Sequence, residues 1–182
     1  MMERDRLKES VELIREVFYY TKRFMGETFV FQIDNSIIEG DYFHDLIEDL
    51  SMLKSAGIRI VIIPGANEHI DKILEQYNIK SSSKDGIRIS TDEAIPFIKM
   101  AAFDISNKIM TELSRSKTSA VIGNWVSAKG KGVIEGIDYQ STGEVNKIDK
   151  ESLNNIIDDD LIPIFPCIGW NSLGKPYNIS SR

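Results

Sequence analysis

LKSAGIRIVIIPGANEHID, residues 53–71, decides the class of fold. Its middle, IRIVIIPG (58–65), is almost continuously isoleucine and valine. A strand with one face in water alternates apolar with polar residues, whereas an unbroken apolar run marks a strand covered on both faces. After Gly65 the spacing changes, and Ile70, Ile73, Leu74 and Tyr77 mark one face of a helix over 67–77. Before Gly57, residues Phe43, Leu46, Ile47, Leu50 and Leu53 mark another helix over 41–55. Helix, buried strand, helix is the order of an α/β fold with a largely parallel central sheet.

Upstream, TFVFQI (28–33) reads as a strand between Gly26 and the polar Asp34-Asn35-Ser36. The first 25 residues form an amphipathic helix on the spacing of Leu7, Val11, Ile14, Phe18, Thr21 and Met25, and Gly26 suits its C-terminus. Downstream, SSSKDGIRIS (81–90) has turn composition and then a short alternating segment. Thr91 is a candidate N-cap for a helix over 92–114, with Asp92 and Glu93 in its first turn and Pro96 near its start. SAVIGNW (119–125) reads as a strand, the glycine-punctuated 130–149 as a hairpin, and LNNIIDDD (153–160) as a short helix. LIPIFPCIG (161–169) reads as one strand, and WNSLGKPYNI (170–179) as a turn entering a last one. No internal repeat or linker interrupts 26–182, so one body preceded by helix 1–25 is expected.

The 182 residues and 20.6 kDa suffice for one domain, or for one lobe of a larger one. Apolar residues at 42% and charged residues at 27% give a globular rather than a disordered balance. No apolar run reaches the roughly 20 residues of a membrane span, and MMERDRLKES has no apolar signal core. A cytoplasmic protein without membrane partners is expected. A single cysteine, Cys167, excludes an intramolecular disulfide framework and a cysteine-rich zinc site. The net charge of −6, without a basic stripe, argues against nucleic acid as a partner.

In open α/β sheets the loops after the strands' carboxyl ends carry ligand chemistry, which singles out Asp34-Asn35-Ser36 and Gly65-Ala66-Asn67. Gly65 at a strand–helix turn either presents backbone N–H groups to an anion or only lets the chain turn, and the turn is the simpler reading. His44 and His69 have no partner by spacing and read as surface residues. Asp158-Asp159-Asp160 resembles a metal cluster but ends a helix before a buried strand, where a solvated turn is simpler. Arg88, beside a turn, can hold a carboxylate bidentately or form an ordinary surface pair. Cys167 on an apolar strand is a small buried hydrophobe, and no metal site emerges.

Five segments in one order resemble the amino-acid kinase family: FMGETFV (24–30), the stretch 53–71, DGIRISTDEA (85–94), GIDYQSTGEVNKID (136–149) and LIPIFPCIGWNSLGKPYNI (161–179). The branch resembled contains acetylglutamate kinase and the N-terminal domain of N-acetylglutamate synthase. The resemblance implies a carbamate kinase-like fold whose N-lobe binds the acylated amino acid and whose C-lobe binds the nucleotide. This chain resembles the N-lobe alone, over 26–182, with the C-lobe and any acetyltransferase domain outside it.

By position, the resemblance makes Arg88 the residue that grips the ligand's carboxylate and Asn178 a second ligand contact. Gly65 and Ala66 match a reduced glycine loop. The family kinases' lysine after the first strand has no counterpart, because Gln32-Ile33-Asp34-Asn35 stands there, and an aspartate beside a triphosphate repels it. The kinases' aspartate beyond Asn178 falls on Arg182.

These departures imply a catalytically degenerate, regulatory kinase-like domain of N-acetylglutamate synthase, serving assembly and arginine sensing. Catalysis with acetyl-CoA would then lie in a later domain, and this chain would need no cofactor and hold no catalytic residue. Phe18, Tyr19 and Tyr20 would contribute to an arginine site on an oligomerising helix, whereas the plainer reading of that helix is a cover for the domain's own core. The expected partners are N-acetylglutamate or glutamate, L-arginine, and further copies of the chain. One alternative is a divergent acetylglutamate kinase using MgATP. Another is a stand-alone binding module that acts through oligomerisation.

Overall fold

The structure, a computed structural model, describes residues 2–181. In chain order it runs α1 (Met2–Phe24), β1 (Thr28–Ile33), α2 (Asn35–Ile38), α3 (Phe43–Ser55), β2 (Arg59–Pro64), α4 (Asn67–Gln76), β3 (Ser82–Lys84) and β4 (Ile87–Ile89). It continues α5 (Ile95–Arg115), β5 (Ala120–Ile122), β6 (Val126–Gly130), β7 (Val133–Ile134), β8 (Ile137–Asp138) and β9 (Gly143–Ile148). It ends α6 (Lys150–Asp158), β10 (Ile162–Ile164), β11 (Ile168–Trp170) and β12 (Pro176–Asn178).

The central sheet has the order β1-β2-β10-β5 and is parallel throughout. The unbroken apolar run of β2 is explained by its alternation. Ile60 and Ile62 point into the large core with α3, α4 and α5, while Val61 and Ile63 point into a smaller core with Trp125, Phe165 and Ile179. Helix α5 spans the large core and buries Ile98, Ala101, Ala102, Ile105, Ile109 and Leu113 at three- and four-residue steps. The α/β class and parallel sheet read from the sequence are therefore present.

A second, mixed sheet of order β12-β11-β6-β9 leans on the first. It corrects two expectations. LIPIFPCIG is not one strand: β10 belongs to the parallel sheet and β11 to the mixed one, with the chain changing sheets across Phe165-Pro166-Cys167. Pro166 has no N–H to continue a ladder, so apolar composition alone overstated the strand. The hairpin expected at 130–149 is wider, β6 against β9 with a register shift at Ser127/Ala128, and β7–β8 is a small hairpin at its tip.

Two helix starts also moved. Residues 92–94 form a turn, with Thr91 Oγ1 accepting from the Ala94 N–H at 3.1 Å, and α5 proper begins at Ile95. Asp34-Asn35-Ser36, read as polar loop, leads straight into α2 through Ile37 N–H to Asp34 O. The strand expected at 119–125 stops at Ile122. There a Cβ on Gly123 would lie 2.0 Å from the Trp125 ring, so the missing side chain is what lets that ring fold back toward Phe165.

Helix α1 does not cover the domain's own core. Leu7, Ile14 and Phe18 are 65%, 53% and 72% exposed. Near its end the helix is tied to the domain, where Phe24 meets Phe29 edge-on at 5.3 Å and Gly26 N–H, at φ +82°, donates to Gly57 O.

Candidate functional site

Arg88 sits on β4, in a short hairpin with β3 that carries it over the first turn of α4. Its guanidinium bonds Asp71 and Ser81, and Nη2 donates to Asn67 O at 3.2 Å, while Nε is buried without an acceptor. With its side chain only 11% exposed, this is a held cation rather than an ordinary surface pair. Asn178, on β12, donates from Nδ2 to Ser90 Oγ at 2.9 Å, and its N–H donates to Ser141 O. Although 90 positions separate them in sequence (178 minus 88), Arg88 and Asn178 line one cavity of about 450 Å³ with Asn67, Lys131, Thr142 and Glu144. Arg88 and Lys131 are the cations of that lining and Glu144 its carboxylate, while Asp71, outside the lining, already balances the Arg88 charge in part.

Thr142 is the joint of the site. Its hydroxyl donates to Arg88 O at 2.6 Å and accepts from the Ser90 N–H at 2.8 Å, in a residue 4% exposed. Sequence reasoning missed it, together with Lys131, because bonds spanning 52 and 54 positions leave no local pattern, whereas Asn67 had been singled out with the loop after β2. Thr142→Val should leave a buried N–H and a buried C=O without a partner, which costs about 1–3 kcal/mol by urea denaturation. Nearby, Asp92 accepts from the Ser141 hydroxyl and from Lys175, and both hold its carboxyl below the usual range. Whatever stability it gives is present above the ordinary aspartate pKa and is lost as pH falls through the lowered one.

Gly65 and Ala66 correct the anion-loop reading. The Gly65 N–H is already bonded to Ile33 O at 2.7 Å, so it is not offered to a ligand. A Cβ on Gly65 would meet Asp34 Cα and Oδ1 at 3.2 Å, and this close approach of two strand ends is why glycine stands there. Ala66 is 3% exposed and packs in the large core. Gly65 does line a second, smaller pocket of about 120 Å³, with Asp34, Asn35, Asn67 and Glu68.

The remaining candidates separate. Phe18, Tyr19 and Tyr20 lie on the exposed length of α1 and line neither cavity; Tyr20 stacks on Phe24. His44 is half exposed between Glu48 and Glu112. His69 is not a free surface residue: its side chain is 14% exposed and Nε2 lies 2.7 Å from Asp104 on α5. Asp158 and Asp160 take Arg59 and Lys54 as surface pairs, as a solvated turn would. Arg182 lies outside the described residues.

Cys167 is buried, which pushes its thiol up to about 11. The thiol is therefore neutral at pH 7, and a thiol reagent should label it only as fast as the protein opens. Stability should fall as pH rises from about 9 toward 11, because only the unfolded chain loses that proton there.

Residues 28–181 match the amino acid kinase family, and the chain belongs to it. Within that class, the chain is 33% identical over 181 residues to the amino-acid acetyltransferase of Pasteurella multocida (strain Pm70), covering 94% of this chain and 41% of that protein. It is 29% identical to the amino-acid acetyltransferase of Salmonella typhimurium, covering all of this chain and 43% of that one. Its fold matches N-acetylglutamate synthase from Neisseria gonorrhoeae, solved with coenzyme A and L-arginine, at a TM-score of 0.86, 26% identity, and coverage of 94% of this chain and 42% of that chain. Giardia carbamate kinase shares the fold alone, at a TM-score of 0.58 and 11% identity. The chain thus spans about two fifths of the length of these acetyltransferases. Among the described residues no helix is long and apolar enough to cross a membrane.

Proposed function

We propose that the chain is the N-lobe of a catalytically degenerate, regulatory amino-acid kinase domain, part of an enzyme that makes N-acetylglutamate from glutamate and acetyl-CoA. Its own work is to bind an amino-acid carboxylate at Arg88, to assemble with further copies through α1, and to take part in arginine sensing. Acetyl-CoA is handled by a later domain. The observation that carries the reading is the mouth of β1 and β2. There the smaller pocket presents the carboxylates of Asp34 and Glu68 and no lysine, a field that repels the phosphates a kinase must hold.

Incubation of the protein with N-acetylglutamate and MgATP should release no ADP. Release that depends on N-acetylglutamate would replace this reading with the divergent kinase, for which the shared cavity of Arg88 and Asn178 speaks. For assembly, the exposed Ile14, Val17 and Phe18 of α1 are the surface to alter. Light scattering of the Ile14→Ser/Phe18→Ser protein should give a smaller species than the unaltered protein. An unchanged mass would remove α1 from the assembly, and a monomer in both would remove assembly altogether.

A further inference from the structure

The charges that line the cavity of Arg88 and Asn178 are matched in pairs, with one exception. Arg88 is met by Asp71, and Glu144 by Lys129 at 3.1 Å. Lys131 lines the same cavity, and among the described residues no carboxylate lies within ion-pair distance of its ammonium. The rest of the residue is accounted for. Its N–H donates to Thr142 O at 3.0 Å, and the side chain, half-buried, brings Nζ to 5.8 Å from the ring centre of Tyr139, which is 5% exposed. That ring holds the lysine stem in place and leaves three N–H donors that no carboxylate of the protein takes.

One residue fixes where Lys131 stands relative to Arg88. Thr142 accepts from the Lys131 N–H through its carbonyl and donates to Arg88 O through its hydroxyl at 2.6 Å. Thr142 also pairs with Asn178 on its other side, so the backbones of Lys131 and Asn178 each lie one strand spacing, about 4.8 Å, from it. Arg88, Lys131 and Asn178 thus enter the cavity from around a single buried threonine. A ligand held by both cations needs two anionic groups joined by a short chain. The four carbon–carbon bonds of a five-carbon dicarboxylate, about 1.5 Å each, hold its carboxyl carbons roughly 5 Å apart. The cavity, at about 450 Å³, is of a size that holds such a molecule.

We infer that Lys131 is a specificity-determining residue of this cavity: it takes the second carboxylate of a ligand whose first is held at Arg88, so that the cleft prefers a dicarboxylate to its monoamide. The inference rests on the carboxylate reading of Arg88 and adds what is held at the other end of the ligand. Amidation keeps the ligand's shape and length, removes the charge that Lys131 faces, and puts an NH2 donor where an acceptor stood.

Calorimetric titration with L-glutamate and L-glutamine, and with the N-acetyl derivative of each, tests it. The unaltered protein should bind the dicarboxylate of a pair at least about fivefold more tightly, less than a fully buried charge pair would give because the ammonium is only half-buried. Lys131→Met, which keeps the stem over Tyr139 and removes the charge, should lower affinity for the dicarboxylates and bring the members of each pair within about twofold. Lys131→Gln should do the same, and Lys131→Arg should retain the preference; circular dichroism checks that all three fold. Equal or tighter binding of the monoamides by the unaltered protein overturns the inference, as does a preference that survives in Lys131→Met and Lys131→Gln. Either result leaves the Arg88 reading standing. Arg88→Ala that binds all four ligands as before would instead sink the carboxylate reading, and with it this one. If none of the four binds to the unaltered protein, both readings fall.

Discussion

Arg88→Ala is expected to abolish measurable binding of N-acetylglutamate and of glutamate alike. The guanidinium is nearly buried, so a carboxylate bound to it is shielded from water, and such a pair, once truncated, loses about 2–5 kcal/mol. That is roughly a thirtyfold loss of affinity or more. Because Arg88 also braces the hairpin against Asp71 and Ser81, the alanine variant needs a partner measurement. Arg88→Lys keeps the charge but loses the planar fork and the bond to Asn67 O, and should weaken binding by less. Asp71→Asn should leave binding close to the unaltered value, since it removes a neighbour of the guanidinium and not the guanidinium itself. Retained affinity in Arg88→Ala would show that the ligand sits elsewhere.

Ile62→Ala should lower stability by about 2–5 kcal/mol, the largest loss expected of any single truncation considered. Ile62 is fully buried in the middle of the parallel sheet, between β1 and β10, and faces the large core. Its neighbours are strands pinned by backbone bonds on both sides, which limits how far the cavity can close. Against a typical total of about 5–15 kcal/mol, that loss should bring much of the chain near unfolding at body temperature. Urea midpoints measured by far-ultraviolet circular dichroism would show it. A loss below about 1 kcal/mol would mean that the sheet relaxes around the gap, and that the core is looser than its burial implies. Val30→Ala on the edge strand is the contrast: Val30 is 60% exposed, and its loss should be small.

The apolar run of 58–65 determined by itself that a doubly covered strand lies at the centre, because no other placement hides five such residues in six. The cap signal of Thr91, with Asp92, Glu93 and Pro96 behind it, likewise gave a long helix over 92–114, three residues early at its start, and the order of segments gave the family. Arg88 was singled out by its place beside a turn, which left a carboxylate grip and a surface pair both open, and only the structure shows it held, nearly buried, between Asp71, Ser81 and Asn67. What lay beyond the sequence were arrangements made by distant partners. Whether LIPIFPCIG is one strand or two depends on which sheet receives each half, and that is decided by the packing of Ile162 and Ile164 on one core and Phe165 on the other. For Gly65 the sequence left an anion loop open beside the simpler turn, because its neighbour Asp34, which explains the glycine, comes from the end of another strand. The exposure of α1 could not be read from its amphipathic spacing, which is the same whether the apolar face meets the chain's own core or another surface. The bond of Thr142 to Arg88, the shared cavity of Arg88 and Asn178, and the bond of Asn35 to Glu68 exist only once the strand ends are brought together. Hydrophobic periodicity is a short-range record of burial, while a site is a set of directed bonds among residues the chain keeps far apart, and only the tertiary structure closes that distance.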